Sequence, residues 1–206
     1  FEAITAFITI PIIVKSLGTE NYGLWITIGQ ALIFFSALDF GITNSIGRFV
    51  AKYKGRNEDQ NITKIIYNAL MLLVFCAILI LITLPIIVFN IDTIFNIEYY
   101  QQSIARKLII IIGIGLSLDF VLRIGRGLLS GFHRFDILYN SKIIGQIFKL
   151  SSILVFFQFN NSTNIALLGM ISMSAMIIPD LLMLIVSIRK IFPLEKFKME
   201  FISKSN

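Results

Sequence analysis

A few ionisable side chains lie deep inside apolar stretches of this sequence, and these are the residues whose types could do chemistry. In so apolar a chain, a charge far from a helix end is costly unless it pairs with another charge or faces a polar cavity. We therefore predict a polar, substrate-sized cavity in a helix bundle. The side chains that we expect to line it are Asp39, Arg48, Asp119, Arg123, Lys149 and Asp180.

If these stretches are helical, four of these residues lie at similar depths in the membrane. At the helical rise per residue, Asp39 lies about 13 Å from Arg48, and Asp180 lies about 13 Å from Arg189. Asp119 and Lys149 each lie about 18 Å from the same end of the bundle. All four fall within one layer, and a shared layer is what a polar cavity requires.

Two interpretations of this layer remain open. The spacing of Asp119 and Arg123 (i, i+4) allows them to neutralise each other on one helix face. Lys149 and Asp180, on neighbouring helices at similar depth, could form a second structural pair. Alternatively, the charges face a functional cavity. The guanidinium groups of Arg48, Arg123 and Arg126 then suit a phosphate because they offer forked donors, although they could also extend to the membrane interface.

Composition identifies the elements that must position these charges. Apolar residues make up 56% of the chain and charged residues 15%, with a mean hydropathy of +0.84. These values exclude a soluble enzyme, a disordered chain and a disulfide-rich secreted module. One cysteine and one histidine exclude a disulfide framework and a histidine-rich metal site. We predict an all-α polytopic membrane protein with no metal or catalytic residues.

Six apolar segments organise the chain, and they must be helical because unpaired backbone is too costly in hydrocarbon. We expect a six-helix transmembrane lobe over residues 1–190, followed by an amphipathic connector over 191–206 on the cytoplasmic side. The first segment is too short to span a bilayer, so we expect its helix to begin upstream of this sequence. The helices are predicted at about 1–14, 22–47, 62–89, 104–129, 137–159 and 165–188.

The distribution of charge predicts the orientation. In a six-helix zigzag, 14 of the 18 Lys and Arg residues fall on one side. The positive-inside rule makes that side cytoplasmic. We therefore expect a multi-pass protein of the inner (cytoplasmic) membrane with a cytoplasmic N-terminus, and no nucleic-acid partner.

Three stretches of the sequence resemble a known family. They are Leu17-Gly-Thr-Glu-Asn-Tyr-Gly-Leu-Trp25, Leu38-Asp-Phe-Gly-Ile42 followed by Arg48, and Gly127-Leu-Leu-Ser-Gly131-Phe-His-Arg-Phe-Asp136. They resemble the first helix–loop–helix, an acidic-glycine stretch and the fourth-to-fifth helix turn of bacterial polysaccharide-biosynthesis transporters. That family comprises the repeat-unit flippases of O-antigen and capsule in the multidrug/oligosaccharidyl-lipid/polysaccharide exporter superfamily.

The resemblance implies a fold and an activity. Family members have two six-helix lobes around a central cavity, so this chain would be the N-terminal lobe, with a second lobe outside this sequence. The implied substrate is an undecaprenyl-diphosphate-linked oligosaccharide, flipped by alternating access. The implied energy source is a proton or sodium gradient, with no bound cofactor. Implied partners are membrane lipids, a polysaccharide polymerase and a chain-length regulator.

Three alternatives stay open at this point. A cation-coupled multidrug exporter of the same superfamily would have an acidic and aromatic cavity, whereas Arg48, Arg123 and Lys149 favour an anion. A membrane glycan polymerase or ligase would carry a large outer loop with catalytic groups. A non-transporting bundle that scaffolds a synthesis complex is the third alternative.

Overall fold

The computed structural model describes residues 2–159 and 164–191, and every element in this part of the chain is helical. A 3-10 segment, Phe34–Asp39, lies between the first two α-helices, and a π-helical turn, Ser187–Ile191, follows the last one. The α-helices are α1 (Glu2–Ile33), α2 (Ile42–Gly55), α3 (Asp59–Phe89), α4 (Ile91–Phe95), α5 (Tyr99–Gly131), α6 (Phe135–Phe159) and α7 (Ile165–Val186).

Four helical stretches of the described residues are long and apolar enough to cross a membrane: Ala3–Gly55, Asp59–Phe89, Tyr99–Gly131 and Ile165–Arg189. The first contains both of the spans expected at 1–14 and 22–47, and the span expected at 137–159 corresponds to α6. The predicted all-α polytopic membrane protein is confirmed. The predicted connector lies outside the described residues beyond Ile191.

Large apolar side chains cover the outside of the bundle. On α3, Met71, Phe75, Ile82 and Ile86 are each more than half exposed, whereas Leu73 and Ile80 on the opposite face are fully buried. A soluble protein rarely exposes a contiguous apolar surface of this kind. The exposed face is therefore suited to contact lipid, and the buried face packs against the bundle.

Helix α1 consists of two helices that meet at Gly18, as the sequence predicts for this part of the chain. The stretch between the expected helices 1–14 and 22–47 is helical apart from one residue, Gly18, which has φ 79° and ψ 160°. This conformation is accessible to glycine because it has no Cβ. Thr5 bonds to Gln146 of α6, whereas Glu20 accepts a hydrogen bond from Gln101 at the start of α5, and Ser36 contacts Arg123 further along α5. The chain therefore reverses at Gly18, and the expected loop is present as a tight turn.

A break interrupts the expected helix 22–47 near its middle. After the 3-10 segment Phe34–Asp39, both Phe40 (φ 43°) and Gly41 (φ 76°) adopt left-handed conformations before α2 begins at Ile42. Left-handed residues end a helix because they turn its backbone away from the helical path. The structure therefore differs from the single helix expected over 22–47, and the break places Asp39 at the start of a new helix.

Helix α5 is the centre of the bundle, and glycines bring its neighbours close. A Cβ added to Gly127 would lie 3.1 Å from the Thr43 carbonyl oxygen, and one added to Gly131 would lie 2.9 Å from that of Gly47. On the other side, a Cβ at Gly125 would lie 2.7 Å from the Leu184 backbone nitrogen. Small residues permit such backbone approach in membrane helices. Gly127 and Gly131, four residues apart, therefore pack α5 closely against α2.

The pairs of contacts also give the helix directions. Gly115 contacts Met173, and Gly125 contacts Leu184, so the contact points advance together along α5 and α7. Helices α5 and α7 are therefore parallel. Gly127 contacts Ile46, and Gly131 contacts Val50, so α2 is parallel to α5 as well. Residues of α2, α5 and α7 can accordingly be placed at common levels of the bundle.

Candidate functional site

Arg123 lies at the centre of a buried network of charges. Its Nε donates a hydrogen bond to Asp119 Oδ2 at 2.8 Å, and one terminal nitrogen donates to Ser36 Oγ at 2.7 Å. The other terminal nitrogen lies 3.7 Å from Asp39 Oδ1. The Phe120 ring lies 4.0 Å from the guanidinium carbon. Only 7% of the Arg123 side chain is exposed, so its charge is held by protein groups on every side.

Asp119 is shared between two arginines. Its Oδ2 accepts from Arg123, and its Oδ1 accepts from Arg126 at 2.7 Å. The Asp119 side chain has no exposed surface. A buried carboxylate is stable only when its charge and lone pairs are compensated, and the two guanidinium groups provide that compensation. The predicted i, i+4 pair of Asp119 and Arg123 is therefore present, and Arg126 extends it.

Arg126 connects the network to α7. The nitrogen that contacts Asp119 also lies 3.1 Å from Asp180 Oδ2. Arg126 is 25% exposed, more than the other four charged side chains of the network. Its buried Nε makes no hydrogen bond within the described residues. The parallel packing of α5 and α7 places Asp180 level with Arg126, whereas the sequence analysis considered Lys149 as its partner.

The network also stabilises the break before α2. Arg123 binds the Ser36 hydroxyl and lies 3.5 Å from the Ser36 carbonyl oxygen, and the Cys76 thiol donates to the Leu38 carbonyl at 3.4 Å. Asp39 Oδ1 accepts from the Thr43 hydroxyl at 2.7 Å near the start of α2. Helix ends leave backbone groups without partners. These contacts satisfy them and hold the break in one conformation.

A cavity of about 530 Å³ lies beside this network, between α1, α5, α6 and α7. Its size falls in the usual range for ligand pockets. Apolar side chains make up much of its wall, including Trp25, Ile112, Leu116 and Met176. The polar and charged lining residues are Gln30, Ser36, Arg126, Lys142, Gln146, Lys149, Ser172 and Asp180.

The charges on the cavity wall are mainly positive. Arg126, Lys142 and Lys149 line it, and Asp180 is the one carboxylate among the described lining residues. Asp180 is already paired with Arg126. The cavity is therefore suited to an anionic ligand, since cationic side chains in a partly desolvated site attract negative charge strongly.

The six predicted site residues are divided among three locations. Asp39, Asp119 and Arg123 belong to the buried network and are not among the lining residues of the cavity. Asp180 belongs to both the network and the cavity, and Lys149 lines the cavity. Arg48 is exposed on α2, with its guanidinium carbon 5.4 Å from the Phe49 ring centroid, and does not line the cavity.

Several site residues were missed by the sequence analysis. Arg126 is offered by the sequence as a phosphate-binding or interfacial side chain but not as one of the six cavity residues, although its spacing of seven from Asp119 places both on one helix face. Lys142 falls within the expected helix 137–159 but is not among the predicted site residues, and α6 carries it into the cavity wall. Trp25, Gln30 and Gln146 carry no charge, so an analysis based on buried charges had no signal for them.

The turn between α5 and α6 holds a separate, exposed ion pair. Arg134 donates two hydrogen bonds to the Asp136 carboxylate, at 3.0 and 2.9 Å. These bonds hold the pKa of Asp136 below its usual value and raise that of Arg134. The two side chains are about half exposed and do not line the cavity, so the pair contributes to the local turn.

Metal binding has little support in the part of the chain that the structure describes. No group of three or more His, Cys, Asp or Glu side chains there is arranged to hold a metal ion. The carboxylates of the network are instead occupied by guanidinium groups.

Long apolar helices, a central helix that carries buried charges and a cavity with cationic lining residues define a polytopic membrane protein with an internal cavity. A sequence model of the family described as polysaccharide biosynthesis protein matches residues 1–206. The chain belongs to this family, and it is therefore a membrane protein of polysaccharide biosynthesis and transport. No curated protein and no solved structure matches the chain.

Proposed function

We propose that this protein is a flippase that moves undecaprenyl-diphosphate-linked oligosaccharides across the bacterial cytoplasmic membrane by alternating access. The observation that carries the proposal is the cavity wall, where Arg126, Lys142 and Lys149 accompany the single described carboxylate, Asp180. A diphosphate offers several acceptor oxygens and matches these donors. Family membership supplies the link to polysaccharide biosynthesis.

The contrast with a cation exporter supports the same conclusion. A site for a cationic drug would expose unpaired carboxylates or an aromatic cage. Here Asp39 and Asp119 are held by arginines away from the cavity, and Asp180 is paired with Arg126 at its wall. An anionic headgroup is therefore favoured, and the lipid tail of the substrate would remain in the bilayer.

Transport by the purified full-length protein tests the proposal. Proteoliposomes are loaded with an undecaprenyl-diphosphate-linked oligosaccharide, and an impermeant lectin measures the fraction that reaches the outer leaflet. We expect transport that depends on the protein and that is absent for an uncharged glycolipid carrying the same sugars. Equal transport of the two lipids would contradict a function based on diphosphate binding.

We also propose that the N-terminus and the basic loops face the cytoplasm, as the positive-inside rule predicts. A cysteine at Arg56, in the basic turn after α2, should be protected from an impermeant thiol reagent in intact cells. A cysteine at Glu98, before α5, should react. Native Cys76 is buried and provides the background measurement. Labelling of the Arg56→Cys protein from outside would contradict this orientation.

A further inference from the structure

One part of the cavity wall lies away from Arg126 and Asp180 and carries the Trp25 ring and uncharged polar groups beside Lys149. Trp25 lines the cavity, and Ser36, 11 residues later, contacts Arg123. Trp25 is therefore about 16 Å from Ser36 along the helix. Ser172 lies next to Met173, which contacts Gly115, so it too is about 16 Å from Arg126 along the axis of α5. Gly145 contacts Pro179 and the Ala175 carbonyl oxygen, so Lys149, one turn further along the antiparallel helix α6, lies level with Ser172. The cavity thus has one part at Arg126 and Asp180 and a second part that carries Trp25, Ser172 and Lys149.

This second part carries polar groups that have unused hydrogen-bonding capacity. The Oγ of Ser172 is buried and has no hydrogen-bond partner within the described residues. Gln146 accepts a hydrogen bond from the Thr5 hydroxyl at 3.3 Å through Oε1, which leaves its amide nitrogen to donate elsewhere. Gln30 is exposed at the same cavity. Buried polar groups normally have partners, so a ligand that supplies hydroxyl groups would complete this surface.

We propose that Trp25, Gln30, Gln146 and Ser172 form a sugar-binding subsite. The indole would stack on the apolar face of a pyranose ring, and the two amides and the hydroxyl would bind the ring hydroxyls. This inference rests on the proposed function, because the sugar belongs to the same lipid-linked ligand whose diphosphate contacts the cationic residues.

The chemistry of the lining favours a sugar over other neutral groups. Sugar hydroxyls both donate and accept hydrogen bonds, and glutamine amides also present both capacities. A flat aromatic surface together with a few placed polar groups is typical of sites that fix a ligand's orientation. A purely apolar ligand would leave the Ser172 hydroxyl and the Gln146 amide without partners, which costs affinity.

Trp25 provides its own spectroscopic signal, since it is the single tryptophan of this sequence. The full protein in nanodiscs is titrated with undecaprenyl diphosphate and, separately, with undecaprenyl-diphosphate-linked oligosaccharide. We expect the indole fluorescence to change with the second ligand only, and this change to be absent in Trp25→Phe. Trp25→Leu should bind the saccharide-bearing ligand about tenfold more weakly and bind undecaprenyl diphosphate as the wild type does.

Tyr22→Leu is the matched control. Its ring lies 6.0 Å from that of Trp25 but does not line the cavity, so this variant should bind both ligands normally. Ser172→Ala, which changes little volume, should weaken only the saccharide-bearing ligand, about threefold. Equal weakening of both ligands by Trp25→Leu, or an unchanged affinity for the saccharide-bearing ligand, would overturn the subsite alone. If the wild-type protein binds neither ligand, the proposed function is overturned as well.

Discussion

Arg123 and Arg126 lie three residues apart on α5 and share Asp119, yet their surroundings differ. Arg123 is 7% exposed and contacts Ser36, Asp39 and the Phe120 ring. Arg126 is 25% exposed and lines the cavity, and its Nε has no partner among the described residues. The depth of a charged side chain in the membrane therefore does not by itself show whether that side chain binds a ligand.

The difference follows from what each side of α5 packs against. Towards α2, close backbone contacts at Gly127 and Gly131 exclude water, so a charge there must be compensated by protein groups. Towards α6 the helices separate and leave the cavity, where a charge can be compensated by water or ligand. The contacts give Arg123 a structural role, and we propose that Arg126 contributes both to the network and to ligand binding.

The largest expected effect is at Asp119, which binds both Arg123 and Arg126. Asp119→Asn removes the shared negative charge and leaves two guanidinium groups in a buried site, at a cost of about 3–5 kcal/mol. This is a large part of a typical folding free energy. We expect a strong loss of protein from the membrane, measured by quantitative blotting and by the midpoint of thermal unfolding.

The double variant Asp119→Asn with Arg123→Gln sharpens this prediction. It removes one negative and one positive charge, and Arg126 keeps its contact with Asp180. Abundance should therefore recover in part relative to Asp119→Asn alone. If the single variant accumulates at the wild-type level, the structural role of the pair is contradicted.

A smaller effect is expected at the break before α2. Ser36→Ala removes the 2.7 Å hydrogen bond from Arg123 and should lower the free energy of unfolding by about 1–2 kcal/mol, because the donor is charged. The midpoint of thermal unfolding measures the effect. Ser151→Ala is a suitable control because the Ser151 hydroxyl bonds only to a backbone carbonyl on an exposed surface, and this variant should unfold as the wild type does.

The smallest effect is expected at the exposed pair of Arg134 and Asp136. Since the pKa of Asp136 is lowered in the folded protein, its contribution to stability is present above the unfolded pKa of about 4 and is lost as the pH falls below it. Asp136→Asn should therefore lower the unfolding midpoint slightly at neutral pH, and the difference should vanish in acid. A difference that grows in acid would contradict this sign.

Much of the fold could be predicted from the sequence, because long apolar segments have few alternatives in a bilayer. The expected helices 62–89, 137–159 and 165–188 differ from α3, α6 and α7 by at most three residues at either end. The break at Phe40 and Gly41 was not predicted. The sequence at the break contains no proline, and the break is stabilised by Arg123 and Cys76, which are distant in sequence.

The candidate site was less predictable, for a physical reason. The cost of burying a charge identifies Asp39, Asp119, Arg123, Lys149 and Asp180 as residues that need compensation. Whether a neighbouring helix or a cavity provides it depends on the register of α5 against α2 and α7. That register is set by backbone contacts at Gly125, Gly127 and Gly131. It cannot be predicted from the helical periodicity of a single segment.

The central claim is that cavity charges bind substrate and network charges maintain the fold. The most direct test measures membrane abundance and lipid-linked oligosaccharide export together in cells expressing Lys149→Met or Arg123→Gln, with Arg48→Gln as the control outside the cavity. We predict that Lys149→Met keeps normal abundance and loses about tenfold in export. Arg123→Gln should lose abundance, and Arg48→Gln should lose neither. Full export by Lys149→Met at normal abundance would contradict the claim.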